Sequence, residues 1–219
     1  MVAVKYSFRT AIELALAGVL LAFATLALGN AKDPWAEDRS VLVERLQEVA
    51  VYAADFTQSV YGLRGELLER SEGYVRLQRP QFKWVVNEPY PQVLVTEGEY
   101  LKLYDPDLEQ LTIRPLEEAL RDTPVSLLTQ EAVVLGENFN VMRIADGRGQ
   151  SFVIEPTAPD TLYREILLHF NAAGLSGLDI LDHLGQRTEI RFDPVPADEA
   201  IGDDEFTLEV PPGTDVIGG

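Results

Sequence analysis

Apolar and polar residues alternate in short runs along most of the chain after Asp55. The alternation is clearest between Gly73 and Thr112. Val75 and Leu77 share one face with Tyr74, Arg76 and Gln78 on the other, and Phe82, Trp84 and Val86 share a face in the next run. A period of two is what a half-buried antiparallel sheet requires, one face apolar and aromatic and the other wet. Turn signals separate the runs at Arg79-Pro80, Glu88-Pro89-Tyr90-Pro91, Glu97-Gly98 and Asp105-Pro106-Asp107, where proline fixes φ and glycine or aspartate tolerates left-handed geometry. The pattern predicts strands over 55–61, 66–78, 81–87, 92–97, 100–104 and 110–114, then 140–145, 150–155, 162–171, 175–181 and 187–192. It adds a last short strand within 206–212, closed by Pro211 and Pro212. Arg79 precedes a proline at a strand corner, which places it at a rim and not in mid-sheet.

Helical spacing occurs in two places. Leu42, Leu46, Val49 and Ala53 predict an amphipathic helix over 40–52. After Pro115, the residues Leu116, Leu120, Pro124, Leu127 and Leu128 recur at helical intervals, and Thr123 before Pro124 divides the segment into two short helices. A helix and then a long meander is an α+β arrangement. So many strands with so little helix predict an unclosed antiparallel β-barrel, a half-barrel whose concave face needs a cover. The helical segments either complete a core or form a short lid over an apolar cavity that holds a hydrophobic ligand, and periodicity alone leaves both readings open.

The 219 residues, 46% apolar and 25% charged, have a globular composition and suit a single domain over 32–219. Residues 1–31 read as a secretory signal peptide: Lys5 and Arg9, an apolar run from Ala11 to Leu28, then small residues up to Ala31. Glu13 interrupts that run, whose length also suits an uncleaved membrane anchor. Without cysteine the chain can carry neither a disulfide nor a lipid-modified N-terminus. A formal charge of −18 argues against nucleic acid and anionic membrane surfaces as ligands. That acidity serves solubility or reflects adaptation to high salt.

Little else suggests chemistry. His169 and His183 have no spacing that makes a ligand pair, Asp105-Pro106-Asp107 and Asp203-Asp204-Glu205 lack the pattern of a calcium loop, and Asp146-Gly147-Arg148-Gly149 reads as a hairpin turn. No nucleophile elbow is present. The chain is therefore expected to be no enzyme and to need no metal or cofactor.

Several runs, in order, resemble the LolA family of periplasmic carriers of outer-membrane lipoproteins. They are Asp55-Phe56-Thr57-Gln58, Gly73 to Pro80 ending in Arg79-Pro80, Phe82-x-Trp84, Val95-x-x-Gly98, Tyr104 to Gln110, and Pro124-x-x-Leu127-Leu128. The resemblance extends from about Leu42 to Pro211-Pro212. One departure is the single residue, Gln81, between Arg79-Pro80 and Phe82, where the family usually has two. The resemblance implies a half-barrel lidded by helices, with an apolar cavity for the acyl chains of a lipoprotein. It nominates Leu46, Phe82, Trp84, Leu94 and Leu103 as lining, and Leu116, Leu120, Pro124, Leu127 and Leu128 as lid. Arg79 would latch that lid. It also implies a periplasmic monomer that receives acylated lipoproteins from an inner-membrane ABC transporter and delivers them to an outer-membrane lipoprotein acceptor of the same fold. The alternative is a lipid- or lipoprotein-sensing domain of an envelope-stress regulator, built on the same half-barrel.

Overall fold

The computed structural model describes residues 33–121, 128, 138–145, 149–158 and 161–218, and of Leu120, Arg121 and Ala145 the backbone only. Every described element lies within Trp35–Gly219, which forms one compact unit. Its strands are β1 (Val51–Tyr61), β2 (Leu67–Gln78), β3 (Gln81–Glu88), β4 (Gln92–Glu97), β5 (Tyr100–Asp105) and β6 (Gln110–Pro115). After them come β7 (Phe139–Ala145), β8 (Gln150–Pro156), β9 (Tyr163–Asn171), β10 (Gly174–Asp182), β11 (Arg187–Pro194) and β12 (Asp215–Gly218). They form one sheet in the order β12-β6-β5-β4-β3-β2-β1-β11-β10-β9-β8-β7. All pairings are antiparallel except β12 on β6, and β7 and β12 are not joined, so the expected unclosed half-barrel is what forms.

The helices whose bounds are described are α1 (Ala36–Glu48), α2 (Leu116–Arg121) and α3 (Ala197–Ala200), and Leu128 is also helical. Glu37 and Asp38 in the first turn of α1 complement its dipole, and Leu42 and Leu46 form its buried stripe. The helix stops four residues short of the predicted end, and Tyr52 belongs to β1 instead. The reason is long-range: the carbonyl of Ala50 accepts the Arg79 N–H at 2.9 Å, and Tyr52 and Ala53 pair with Leu77 and Arg76, so this segment must be extended. The other end of α1 lies along the edge strand β7. Arg39 donates to the Phe139 carbonyl at 3.2 Å, and the Arg143 N–H donates to Asp38 at 2.9 Å. Part of an otherwise open sheet edge is thereby satisfied.

Register decides which residues face inward. Phe56 lies opposite Phe192 on β11 and Gly73 on β2, while Val75 faces Trp84, Leu77 faces Phe82, and Trp84 faces Leu94. Phe56, Val75, Leu77, Phe82 and Phe192 join Leu42 and Leu46 of α1, and Phe152, Ile154, Ile166 and Leu168 of the second half, in a single core cluster, with Trp84 and Leu94 packed against it.

The convex face is not uniformly wet, as simple alternation predicts it to be. Val85 and Val95 point outward by register yet are buried. The chain after α3 covers this side: Lys83 donates to the Glu205 carbonyl at 2.7 Å, and Phe206 is itself buried. The strand predicted within 206–212 does not form there. The chain turns instead, and the terminal strand is β12, several residues later and parallel to β6. Pro211 and Pro212 lack the N–H groups a ladder needs, which shifts pairing to Asp215–Gly218. Helix α3 carries no apolar periodicity over its four residues, so helical spacing does not predict it.

Candidate functional site

The concave floor is aromatic. Trp84 stacks on Phe56 with centroids 4.0 Å apart, lies 6.4 Å from Phe82, and meets Phe192 edge-on at 6.3 Å. Phe192 in turn meets Tyr52 edge-on at 6.0 Å. Offset and edge-to-face arrangements match the ring quadrupoles and make a broad apolar surface from five side chains on three strands. Tyr52 finds its partner in the Leu175 carbonyl at 2.8 Å; burial, aided by the charge of Asp193, pushes its phenol well above the usual value, so it stays a donor.

Arg79 stands where β2 turns into β3, and the tight pairing of Gln78 with Gln81 leaves only Arg79-Pro80 at the corner. The Arg79–Pro80 peptide is cis. The short turn does not misdirect the side chains of β3, since Phe82 is 0% exposed and Trp84 shares its face. The Arg79 guanidinium donates twice to the Leu128 carbonyl, from Nε at 3.1 Å and Nη2 at 3.0 Å, and once to the Leu46 carbonyl at 3.2 Å. Leu46 lies in the last turn of α1, where its carbonyl also accepts the Val49 N–H at 3.3 Å and the helix dipole is negative, so a guanidinium is well matched to it. One side chain thus ties the end of α1 to Leu128. Leu128 is 4% exposed and packs in the same cluster as Leu46 and Phe82.

The nominated residues divide into three groups. Leu46, Phe82, Trp84, Leu94 and Leu128 come together in or against the core cluster. Leu103 lies beside Leu94 on the concave face and is half-buried, and Leu116 is half-buried at the start of α2, outside that cluster. The Leu120 side chain, Pro124 and Leu127 lie outside the described residues, as does the Asp146 to Arg148 turn. Sequence reasoning missed Phe56, Phe192 and Tyr52 as floor residues. Phe56 is visible in the Phe-Thr-Gln run, but its partnership with Phe192 depends on β1 pairing with a strand more than a hundred residues away.

Beyond the aromatic row the concave face becomes polar. Gln58, Ser71, Gln92 and Asp105 continue the inward-facing positions of β1, β2, β4 and β5, and they line a cavity of about 540 Å³ at the end away from Arg79.

On the convex face, Ser151 Oγ lies 2.9 Å from His169 Nδ1, and His169 Nε2 lies 3.1 Å from Asp179, which also binds Arg191. The order of residues imitates a nucleophilic triad. Ser151, however, is only 8% exposed on a regular strand, and Asp179 is also held by the Arg191 guanidinium, so the group acts as a polar tie across four strands. No group of metal-ligating side chains occurs among the described residues.

The family model for the outer membrane lipoprotein carrier protein LolA matches residues 47–209. An outer-membrane lipoprotein carrier protein of Chromohalobacter salexigens is 40% identical over 195 residues, covering 89% of this chain and 93% of the relative. One from Azotobacter vinelandii is 35% identical over 202 residues, covering 91% and 96%. Among solved structures, a LolA superfamily protein from Nitrosomonas europaea aligns with a TM-score of 0.45 at 11% identity, over 78% of this chain and 97% of that one. With the matched region spanning β1 to the turns before β12, and relatives matched over nearly their full length, this chain belongs to the LolA family of outer-membrane lipoprotein carrier proteins.

Proposed function

We propose that this chain is a periplasmic carrier that accepts acylated lipoproteins released from the inner membrane, shields their acyl chains against the aromatic floor, and passes them to an outer-membrane acceptor. The observation that carries the reading is the Arg79 guanidinium bridging Leu46 and Leu128 above that floor. Magnitudes favour a latch that a ligand can open. Hydrogen bonds to a charged group contribute roughly 1.5–3 kcal/mol each, and a guanidinium that is only partly buried stands at the low end. Acyl burial is worth roughly 0.8 kcal/mol per CH₂, so one long chain outweighs the latch once α1 and Leu128 give way.

The same arithmetic makes extraction from a bilayer unfavourable without outside work. The chain has no nucleotide-binding motif, so that work falls to a partner, which we take to be an ATP-driven inner-membrane transporter. In this reading residues 1–31 are an export signal and 32–219 the working domain, which acts as a monomer. The deciding experiment is release of a labelled lipoprotein from inner-membrane vesicles, with and without the protein and ATP. Protein-dependent release into the soluble fraction is expected; equal release in its absence would remove the reading.

A further inference from the structure

The concave face changes character along its length. Near Arg79 it presents Leu77, Phe82 and Trp84, and beyond Trp84 it presents Gln58, Gln92 and Ser71, the last six residues or about 20 Å from Leu77 along β2. The cavity of about 540 Å³ there is lined by three carboxylates, Glu69, Asp105 and Asp107, and, among the described residues, by no basic side chain. Its polar groups are partly engaged. Gln58 donates to Ser71 at 3.4 Å, Gln92 donates to Asp105 at 3.2 Å, and Asp105 also accepts the Leu108 N–H at 3.1 Å. Each glutamine spends an amide N–H inside the cavity, so its side-chain carbonyl remains as an acceptor. Ser71 is 3% exposed, and such a buried hydroxyl belongs to a built polar layer, not to loose surface. Val86 joins this cavity to the core cluster, and Tyr90 and Leu108 stand exposed at its rim.

An amphipathic concavity fits an amphipathic ligand in only one direction. Resting on the carrier reading, we propose that this cavity is the subsite for the peptide adjoining the acylated residue, and that it favours basic over acidic side chains there. Acyl chains run towards Arg79 and the peptide leaves past Tyr90 and Leu108. Peptide N–H groups meet the glutamine carbonyls and Asp105. A Lys or Arg near the acylated residue gains from the three carboxylates, and an Asp or Glu is repelled by them.

The test uses two synthetic triacylated cysteine peptides that differ only in carrying Lys-Lys or Asp-Asp after the cysteine. Each competes with a fluorescent fatty acid for the mature protein. The Lys-Lys peptide is expected to bind about tenfold more tightly in dilute buffer, with the ratio shrinking as salt screens the carboxylates. In Glu69→Gln/Asp107→Asn, and separately in Asp105→Asn, the ratio falls towards one. The ratio is the readout, so a general loss of affinity does not mimic the result. Equal binding of the two peptides by the wild type, or an unchanged ratio in both variants, overturns the subsite while fatty-acid binding leaves the carrier reading standing. Failure of the fatty acid and both peptides to bind overturns the two together.

Discussion

Two nitrogens of Arg79, Nε and Nη2, converge on the single carbonyl oxygen of Leu128, while Nη2 also reaches Leu46. A rim arginine at a strand corner thereby becomes the link between α1 and the segment containing Leu128. Arg79→Leu removes all three bonds. It is expected to retain acylated protein yet fail to deliver it, because closure of the emptied cavity no longer offsets the loss of acyl contacts. Arg79→Lys should fall between the two, since an ammonium cannot reproduce the planar fork. A purified transfer assay checks this, and unimpaired delivery by Arg79→Leu removes the latch.

The Phe56 and Trp84 rings stack at 4.0 Å, and the chain has only two tryptophans. In a Trp35→Phe background, emission reports Trp84 alone. Binding of a fatty-acyl ligand to the floor is expected to shift that emission and to saturate with the same affinity seen by a second readout. Saturable binding that leaves Trp84 emission unchanged would place the ligand elsewhere.

Gly73 lies opposite Phe56, where the pairing of β2 with β3 shifts register. A Cβ there would lie 1.8 Å from the Val85 carbonyl oxygen and 2.9 Å from Phe56 Cζ. Gly73→Ala should therefore lower stability by about 1–3 kcal/mol through overpacking. Gly177→Ala, whose Cβ would stand 3.1–3.3 Å from its neighbours, should do less. Urea midpoints of the two variants in one buffer decide it; equal midpoints would mean that β3 moves aside without resistance.

Burial by itself raises the Asp179 carboxyl, but hydrogen bonds from His169 and Arg191, with their charges, outweigh it and hold the group below the ordinary carboxylate value. A carboxylate whose pKa falls on folding contributes stability that is present above its unfolded value, about 3.9. That stability is lost as pH falls through the lower folded value. Wild type and Asp179→Asn should thus differ in urea midpoint at neutral pH and converge below about pH 4. A constant gap across that window would show that the tie contributes packing and not charge.

A formal charge of −18 on 219 residues destabilises the compact state by self-repulsion in dilute buffer. Raising salt to about 1 M shortens the Debye length to about 3 Å, so the urea midpoint should rise. An unchanged midpoint would leave solubility as the role of the acidity.

Much of the site was legible because local chemistry repeats at short range. Alternation located Phe82 and Trp84 on one face, and Arg79-Pro80 marked the rim. The end of α1 was not legible, because helical spacing through Ala53 continues past the point where Arg79 and Leu77 draw Ala50 and Tyr52 into a ladder. Nor was the buried part of the convex face, since Val85 and Val95 look like ordinary outward positions until Phe206 and Glu205 arrive from the far end of the chain.

The sequence by itself determined eleven of the twelve strands, the α+β class and the aromatic face, because each rests on periodicity, turn chemistry or spacing within a few tens of residues, and its ordered short motifs carried the resemblance to the family. Tertiary structure alone decided that Phe56 meets Phe192, that Arg79 reaches Leu46 and Leu128, and that the concave face passes from aromatic to acidic along its length. These are consequences of sheet register between distant strands. Side chains alternate every residue, so only the actual pairing fixes which of them share a cavity.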